Sequence, residues 1–183
     1  MTTSPPPIPV LGLHHHEWVV DDQERTRAFY EGVIGLPLVA TWIEDVAVED
    51  ARIQYIHTQY GLADGSALSF FSFADPDDQS RFAGCPQSSP FAHLALAVTP
   101  EAQQAIAERF STSEAETGPS YTLDHGYCTS LYLTDPDGLV LEFTADSPAA
   151  AETRSQRRRT ASVDLQRWHA GDRRGNNPLR PRG

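Results

Sequence analysis

The 183-residue sequence predicts an α+β fold: two βαβββ modules forming a single curved-sheet bowl. Three observations predict it. An apolar strand followed by a helix pattern occurs twice, as "HHHEWVV" before "DDQERTRAFYEGVIG" and as "AHLALAV" before "TPEAQQAIAERF". Each occurrence leads into three further strand-like runs. A segment bearing Gly, Pro and Ser separates the copies. Such a repeat constrains the architecture, because one helix per module covers one sheet face and leaves the other concave.

Taken in order, residues 1–10 (MTTSPPPIPV) are Pro-rich and are expected to be a disordered, extended arm. The first module spans 11–75. Its opening strand, Leu13–Val20, runs into a helix that starts near Asp21 or Asp22. Phe29, Tyr30, Val33 and Ile34 share one face of that helix, and Gly35 fits its C′ stop. Strands are expected at Leu38–Ile43, Arg52–Gln59 and Ala67–Phe73, with turn chemistry at Asp64-Gly65 and Asp75-Pro76. Residues 76–90 read as a linker. The second module, 91–146, opens with Phe91–Val98 and a helix capped by Thr99 with Pro100 at its first position. Ala102, Ala105, Ile106 and Phe110 form the apolar stripe of this helix. Strands follow near Tyr121–Asp124, Thr129–Thr134 and Leu139–Thr144, the last two joined by Asp135-Pro136-Asp137-Gly138. The Arg-rich tail, 147–183, is expected to be partly helical, with Val163, Leu165 and Trp168 as docking residues and a disordered end from Gly171.

Charge divides the chain. Residues 1–149 carry 5 Arg against 22 Asp and Glu, a balance of −17, whereas 150–183 carry 9 Arg against 3 acids, a balance of +6. The acidic body argues against nucleic acid as a partner, and the tail reads as a solvated or self-docking segment. No stretch has the length and apolarity of a membrane span, and no secretory leader is evident, so a cytoplasmic protein without membrane contact is expected. Cys85 and Cys128 form no CxxC pattern and read as reduced thiols.

The chemistry is sought where the two leading strands match. His15 lies five residues before Val20, and His93 five before Val98. Strand alternation puts His15, Glu17 and Val19 on one face and His14, His16, Trp18 and Val20 on the other. His93 likewise shares a face with Ala95 and Ala97. With the bulky sides turned to the helices, His15 and His93 take repeat-related positions on the concave face. Glu142 interrupts the apolar run "LVLEF" and there requires a cation or a metal. Two imidazoles and one carboxylate are the facial set that holds Fe(II) or Mn(II) with open positions. Tyr132 shares the face of Glu142, and His125 precedes Tyr132 by seven residues. Phe71 and Phe73 share the face of Ser69 and form an aromatic wall. His57, on the third strand of the first module at roughly the place of Tyr132 in the second, is a possible lining residue, and Glu17 a possible partner for a ligand. Roles for His14 and His16 stay open.

The helix pattern D-x-x-x-T-x-x-F-Y…G-L-P (Asp22 to Pro37) and the strand pattern D-P-D-G-x-x-x-E (Asp135 to Glu142) resemble the vicinal oxygen chelate superfamily of glyoxalases, fosfomycin-resistance proteins and type I extradiol dioxygenases. The resemblance covers roughly residues 11–146. It implies metal ligation by His15, His93 and Glu142. The place of a fourth ligand in glyoxalase-type members falls on Ser69, a poor ligand, which turns the resemblance toward the ring-cleaving dioxygenases. The spacing of His125, Ser130 and Tyr132 is similar to the His and Tyr pair of extradiol enzymes, implying an acid/base role for His125 and substrate hydrogen bonding by Tyr132. The expectation is an Fe(II) enzyme, with Mn(II) or another divalent metal as alternatives, acting on a small catechol-like aromatic with O₂ as a homodimer. The alternatives are a metal-dependent lyase, epimerase or thiol transferase of the superfamily, or a non-catalytic small-molecule binder.

Overall fold

The computed structural model describes residues 11–48, 51–84, 91–113 and 118–179. The arm at 1–10, Cys85 with the rest of 85–90, and 180–183 lie outside these. The chain divides into two compact units, Met1–Gly84 and Cys85–Gly183.

In the first unit, β1 (His15–Val19) ends where Asp22 caps α1 (Gln23–Arg27). The Asp22 carboxylate accepts the backbone N–H groups of Glu24 and Arg25 at 2.8 and 2.9 Å, satisfying donors that a helix start leaves free. The helix continues into a π-helical stretch, Ala28–Ile34, which Gly35 closes at φ 89°. The wide final turn lets the Tyr30 carbonyl accept from both Gly35 and Leu36. The strands β2 (Leu38–Val48), β3 (Ala51–Gly61) and β4 (Ala67–Phe73) complete a sheet of order β1-β4-β3-β2, with β1 parallel to β4 and the other pairs antiparallel. The expected helix face is the core: Phe29 and Tyr30 are fully buried with Tyr60, Leu68 and Phe70, and the Tyr30 and Phe70 rings lie 4.5 Å apart.

The segment read from sequence as a linker opens with a helix, α2 (Pro76–Phe82). Asp75 caps it by accepting from Asp77 and Asp78, and Pro76 sits where its missing N–H costs nothing. The Asp-Pro pair marks a helix start here rather than a turn. Gln79 of α2 ties it to the unit by donating to the Val20 carbonyl at 3.0 Å.

The second unit repeats the plan. Here β5 (Leu94–Val98) leads through the Thr99 cap into α3 (Pro100–Thr112), and then β6 (Tyr121–Asp124), β7 (Cys128–Thr134) and β8 (Val140–Asp146) follow. Sheet order is β5-β8-β7-β6, again with the leading strand parallel to the last. Of the four apolar residues expected on α3, Ile106 is the buried one. Gln103 adds polar anchoring, donating to the Phe143 and Thr129 carbonyls at 2.6 and 2.8 Å. The tail forms α4 (Ala150–His169), tied to the sheet by Arg154 with Asp146 at 2.8 Å. Val163, Leu165 and Trp168, expected as docking residues, are more than half exposed. Residues 172–177 carry no helix or strand. They are held where Asp172 takes the guanidinium groups of Arg167 and Arg174 at 3.0 and 2.8 Å. No helix among the described residues is long and apolar enough to cross a membrane.

Candidate functional site

Each unit carries a histidine–carboxylate pair on the sheet face away from its helix. In the second unit β5 and β8 are in register so that Ala95 faces Glu142, which puts His93, two residues earlier, beside the carboxylate. His93 Nε2 lies 2.7 Å from Glu142 Oε2. His125 Nε2 lies 3.9 Å from Glu142 Oε1, and 3.4 Å from the Tyr132 hydroxyl. Tyr132 and Glu142 are register partners, so alternation sends both side chains to one face. The four residues expected from sequence in this half therefore come together.

Their electrostatics differ by environment. Burial alone would raise the Glu142 carboxyl, but hydrogen bonds from Ser130, Tyr132 and Thr144 and the neighbouring His93 imidazole hold it below the usual glutamate value. Glu142 is therefore an anion at neutral pH, although it is only 8% exposed. Burial first, and the hydrogen bond to Glu142 second, push the Tyr132 hydroxyl up to about 12. It stays protonated and available as a donor. Tyr121 stacks on Tyr132 at 4.7 Å and fixes the ring plane.

In the first unit the carboxylate sits on the other strand. Glu17 of β1 faces Ser69 of β4, whereas in the second unit Ala95 of β5 faces Glu142 of β8. The pair is the same but the acid has crossed to the leading strand. His15 Nε2 lies 3.2 Å from Glu17 Oε1. Ser69 is fully buried and accepts from Gln59 Nε2 at 3.2 Å. His16 and Trp18 point the other way, stacked on each other at 3.6 Å, with Trp18 against the core residue Phe70. His14 precedes the first strand residue, so alternation does not govern it; its Nδ1 lies 2.6 Å from His15 Nδ1.

His57 departs from its expected place. The register makes Gln59 the partner of Ser69 and Tyr132 the partner of Glu142, so Gln59 is the repeat counterpart of Tyr132. His57 lies two residues away, stacked on Phe71 at 4.1 Å and against Trp42 at 4.0 Å. Phe73 extends the wall toward Tyr55 and Phe82. Trp42, Glu44 and Tyr55 also belong to this face, and sequence reading missed them. The signal was present, since His57 and Trp42 are cross-strand partners, but it needed the β2–β3 register.

Burial lowers the His57 pKa, with the neighbouring His15 adding to the effect against Glu17 and Glu44. The folded chain thus keeps His57 neutral, while the unfolded chain protonates it near 6.5. Its contribution to stability is complete above that pH and declines as the pH falls through the lower folded value. We expect the urea midpoint of the first unit, followed by tryptophan fluorescence, to fall more between about pH 7 and about pH 5 in the wild type than in His57→Phe. Equal slopes would show that His57 does not titrate in this way.

The turn that carries His125 is pinned by the C-terminal part of its own unit. Arg157 of α4 lies 4.2 Å over the Tyr127 ring, and Asn177 Nδ2 donates to the His125 carbonyl at 3.4 Å. Gly126 adopts φ 83°, and a Cβ there would overlap the Leu179 carbonyl.

Among the described residues, no three His, Cys, Asp or Glu side chains form a ready metal cluster inside either unit. The set His15, His93 and Glu142 takes its members from both units. The donor chemistry of the second-unit half suits a divalent cation: an imidazole nitrogen beside a carboxylate that its neighbours keep ionised.

The chain matches the family model described as Glyoxalase/Bleomycin resistance protein/Dioxygenase superfamily over residues 12–143. No curated protein matches it significantly. Among solved structures it is similar to the fosfomycin resistance protein FosX of Listeria monocytogenes complexed with Mn(II) and sulfate, at 18% identity and TM-score 0.53, covering 80% of this chain and 98% of that one. A glyoxylase/bleomycin resistance protein/dioxygenase domain from Frankia sp. EAN1pec aligns at 17% identity and TM-score 0.56, covering 75% and 99%. A glyoxalase/dioxygenase from Nostoc punctiforme aligns at 20% identity and TM-score 0.54, covering 80% and 99%. At these identities the structures speak to the fold.

Proposed function

Because the chain belongs to the glyoxalase/bleomycin resistance protein/dioxygenase superfamily, we propose that it is a metal-dependent enzyme, and specifically an extradiol-type dioxygenase acting on a catechol-like aromatic. The observation that carries the finer reading is the His125–Tyr132 pair beside Glu142. An imidazole lies 3.4 Å from a phenol that stays protonated, and both adjoin the anionic carboxylate. His15, His93 and Glu142 would hold the metal. Bound Fe(II) would supply chelation of two vicinal oxygens and a route for electrons to O₂.

The rest of the work falls to the protein's own groups. A catechol must lose protons to chelate, and ring opening by O₂ returns a proton to the product. The His125 imidazole, whose ring nitrogen can accept a proton and give it back, can take the first at Nε2 and return the second. Tyr132 Oη donates a hydrogen bond to a substrate oxygen and, at a pKa of about 12, does not compete for the proton. Ser130 and Thr144 hold Glu142 in orientation by hydrogen bonds. The net reaction inserts both atoms of O₂ into the ring-opened product, and no further reductant is consumed.

The test is oxygen uptake by anaerobically Fe(II)-loaded protein against a catechol panel. Uptake matched to a yellow ring-opened product is expected. A superfamily relative binds Mn(II), so the same protein is also assayed with that metal. Turnover of a non-catechol substrate with Mn(II), without oxygen uptake under any condition, would overturn the dioxygenase reading in favour of Lewis-acid chemistry.

A further inference from the structure

We propose that the open sheet face of the first unit binds a single aromatic ring carrying a protonated nitrogen. The inference deepens the dioxygenase reading by naming the substrate's charge, and rests on that reading only for the catechol character of the ring.

Two rows of side chains build the face. Phe71, His57 and Trp42 are aligned across β4, β3 and β2, and Phe73, Tyr55 and Glu44 form the next row. Within them Tyr55 meets Phe71 edge-on at 5.2 Å and Phe73 at 5.9 Å. Two carboxylates frame these rings. Glu44 accepts Trp42 Nε1–H at 2.8 Å and the Tyr55 hydroxyl at 3.1 Å, one on each oxygen. Glu17 stands on the other flank, 3.5 Å from His57 Nε2. That nitrogen is buried without a hydrogen bond, in a residue only 6% exposed. A buried polar atom without a hydrogen bond costs free energy, so this nitrogen, 3.5 Å from Glu17 and inside an aromatic and acidic face, marks a place built to meet a ligand.

Charge selects the ligand. The chain has no lysine. Arg27 and Arg52 are engaged with Glu31 and Asp45, and Arg81 lies over Phe82, beyond Phe73. Among the described residues no arginine lies over Trp42, Tyr55, His57 or Phe71, so Glu44 keeps its charge among neutral donors, while Glu17 also meets the His15 imidazole. Electron-rich ring faces and carboxylates attract an ammonium together, whereas a carboxylate or phosphonate ligand meets like charge. The ring stacks among Trp42, Tyr55 and Phe71, and the ammonium reaches toward Glu17 or Glu44.

The test is direct binding to the full-length protein, with probes that lack vicinal oxygens and so need no metal. Phenethylamine, benzyl alcohol and phenylacetate are titrated by calorimetry and by quenching of Trp42 fluorescence, with Trp42→Phe as the signal control. Phenethylamine is expected to bind at least tenfold tighter than phenylacetate and to weaken with added salt. Glu17→Gln and Glu44→Gln, each checked for unchanged thermal unfolding, should each erode that preference while leaving benzyl alcohol unaffected. Equal binding of phenethylamine and phenylacetate, or a preference that survives both substitutions, would overturn the inference. Selective phenethylamine binding without oxygen uptake on any catechol would uphold it while the dioxygenase reading fails.

Discussion

Replacing Glu142 with glutamine is expected to remove divalent metal from the purified protein and abolish turnover, while the fold persists. The carboxylate is nearly buried and kept ionised by Ser130, Tyr132, Thr144 and His93. The amide has the same shape, can still accept hydrogen bonds, and carries no charge to offset a cation. Loss of a group that merely orients a ligand costs about 10- to 100-fold in metal affinity, so loss of a ligand itself should cost at least about 100-fold. Metal content by mass spectrometry, with circular dichroism as the folding control, checks it. Undiminished metal in Glu142→Gln would show that the charge of Glu142 serves the His93 contact and not a metal.

Phe70→Ala is expected to destabilise the first unit by about 3–5 kcal/mol, whereas Phe71→Ala next to it should cost much less. Phe70 is fully buried against Tyr30, Tyr60 and Trp18, so truncation leaves a cavity in the apolar layer between the sheet and the first helix. Phe71 points to the open face, where it meets His57 and Tyr55. Urea unfolding followed by tryptophan fluorescence separates the two, with each unit's transition treated on its own. Similar losses for both would contradict the alternation that places Phe71 on the face of His57 and Tyr55.

The two predictions draw on different amounts of sequence information. Glu142 was visible because a charge inside "LVLEF" has no local explanation, and Phe29, Tyr30, Val33 and Ile34 because helical spacing put them on one face. Asp22, Gly35, Thr99 and the Asp135-Gly138 turn were readable as caps and turns, since their roles depend on backbone groups a few residues away. Less legible were features set by partners distant in sequence. Asp75-Pro76 suits both a turn and a helix start, and packing through Gln79 accompanies the helix that forms. Residues 172–177 look disordered by composition, yet Asp172 pairs with two arginines and Asn177 reaches the His125 turn.

By itself the sequence determined the repeated βαβββ plan, the buried face of the first helix and the opposite faces taken by the neighbouring histidines His15 and His16, because each depends on periodicity or on hydrogen bonds closed within a few residues. Tertiary structure alone decided that the first-unit acid is Glu17 across from Ser69, that Gln59 rather than His57 is the counterpart of Tyr132, and that Trp42, Glu44 and Tyr55 join His57 on one face. These depend on strand register. A slip of one residue would turn every side chain of a strand to the opposite face, and register is set by pairing between strands that no local pattern encodes.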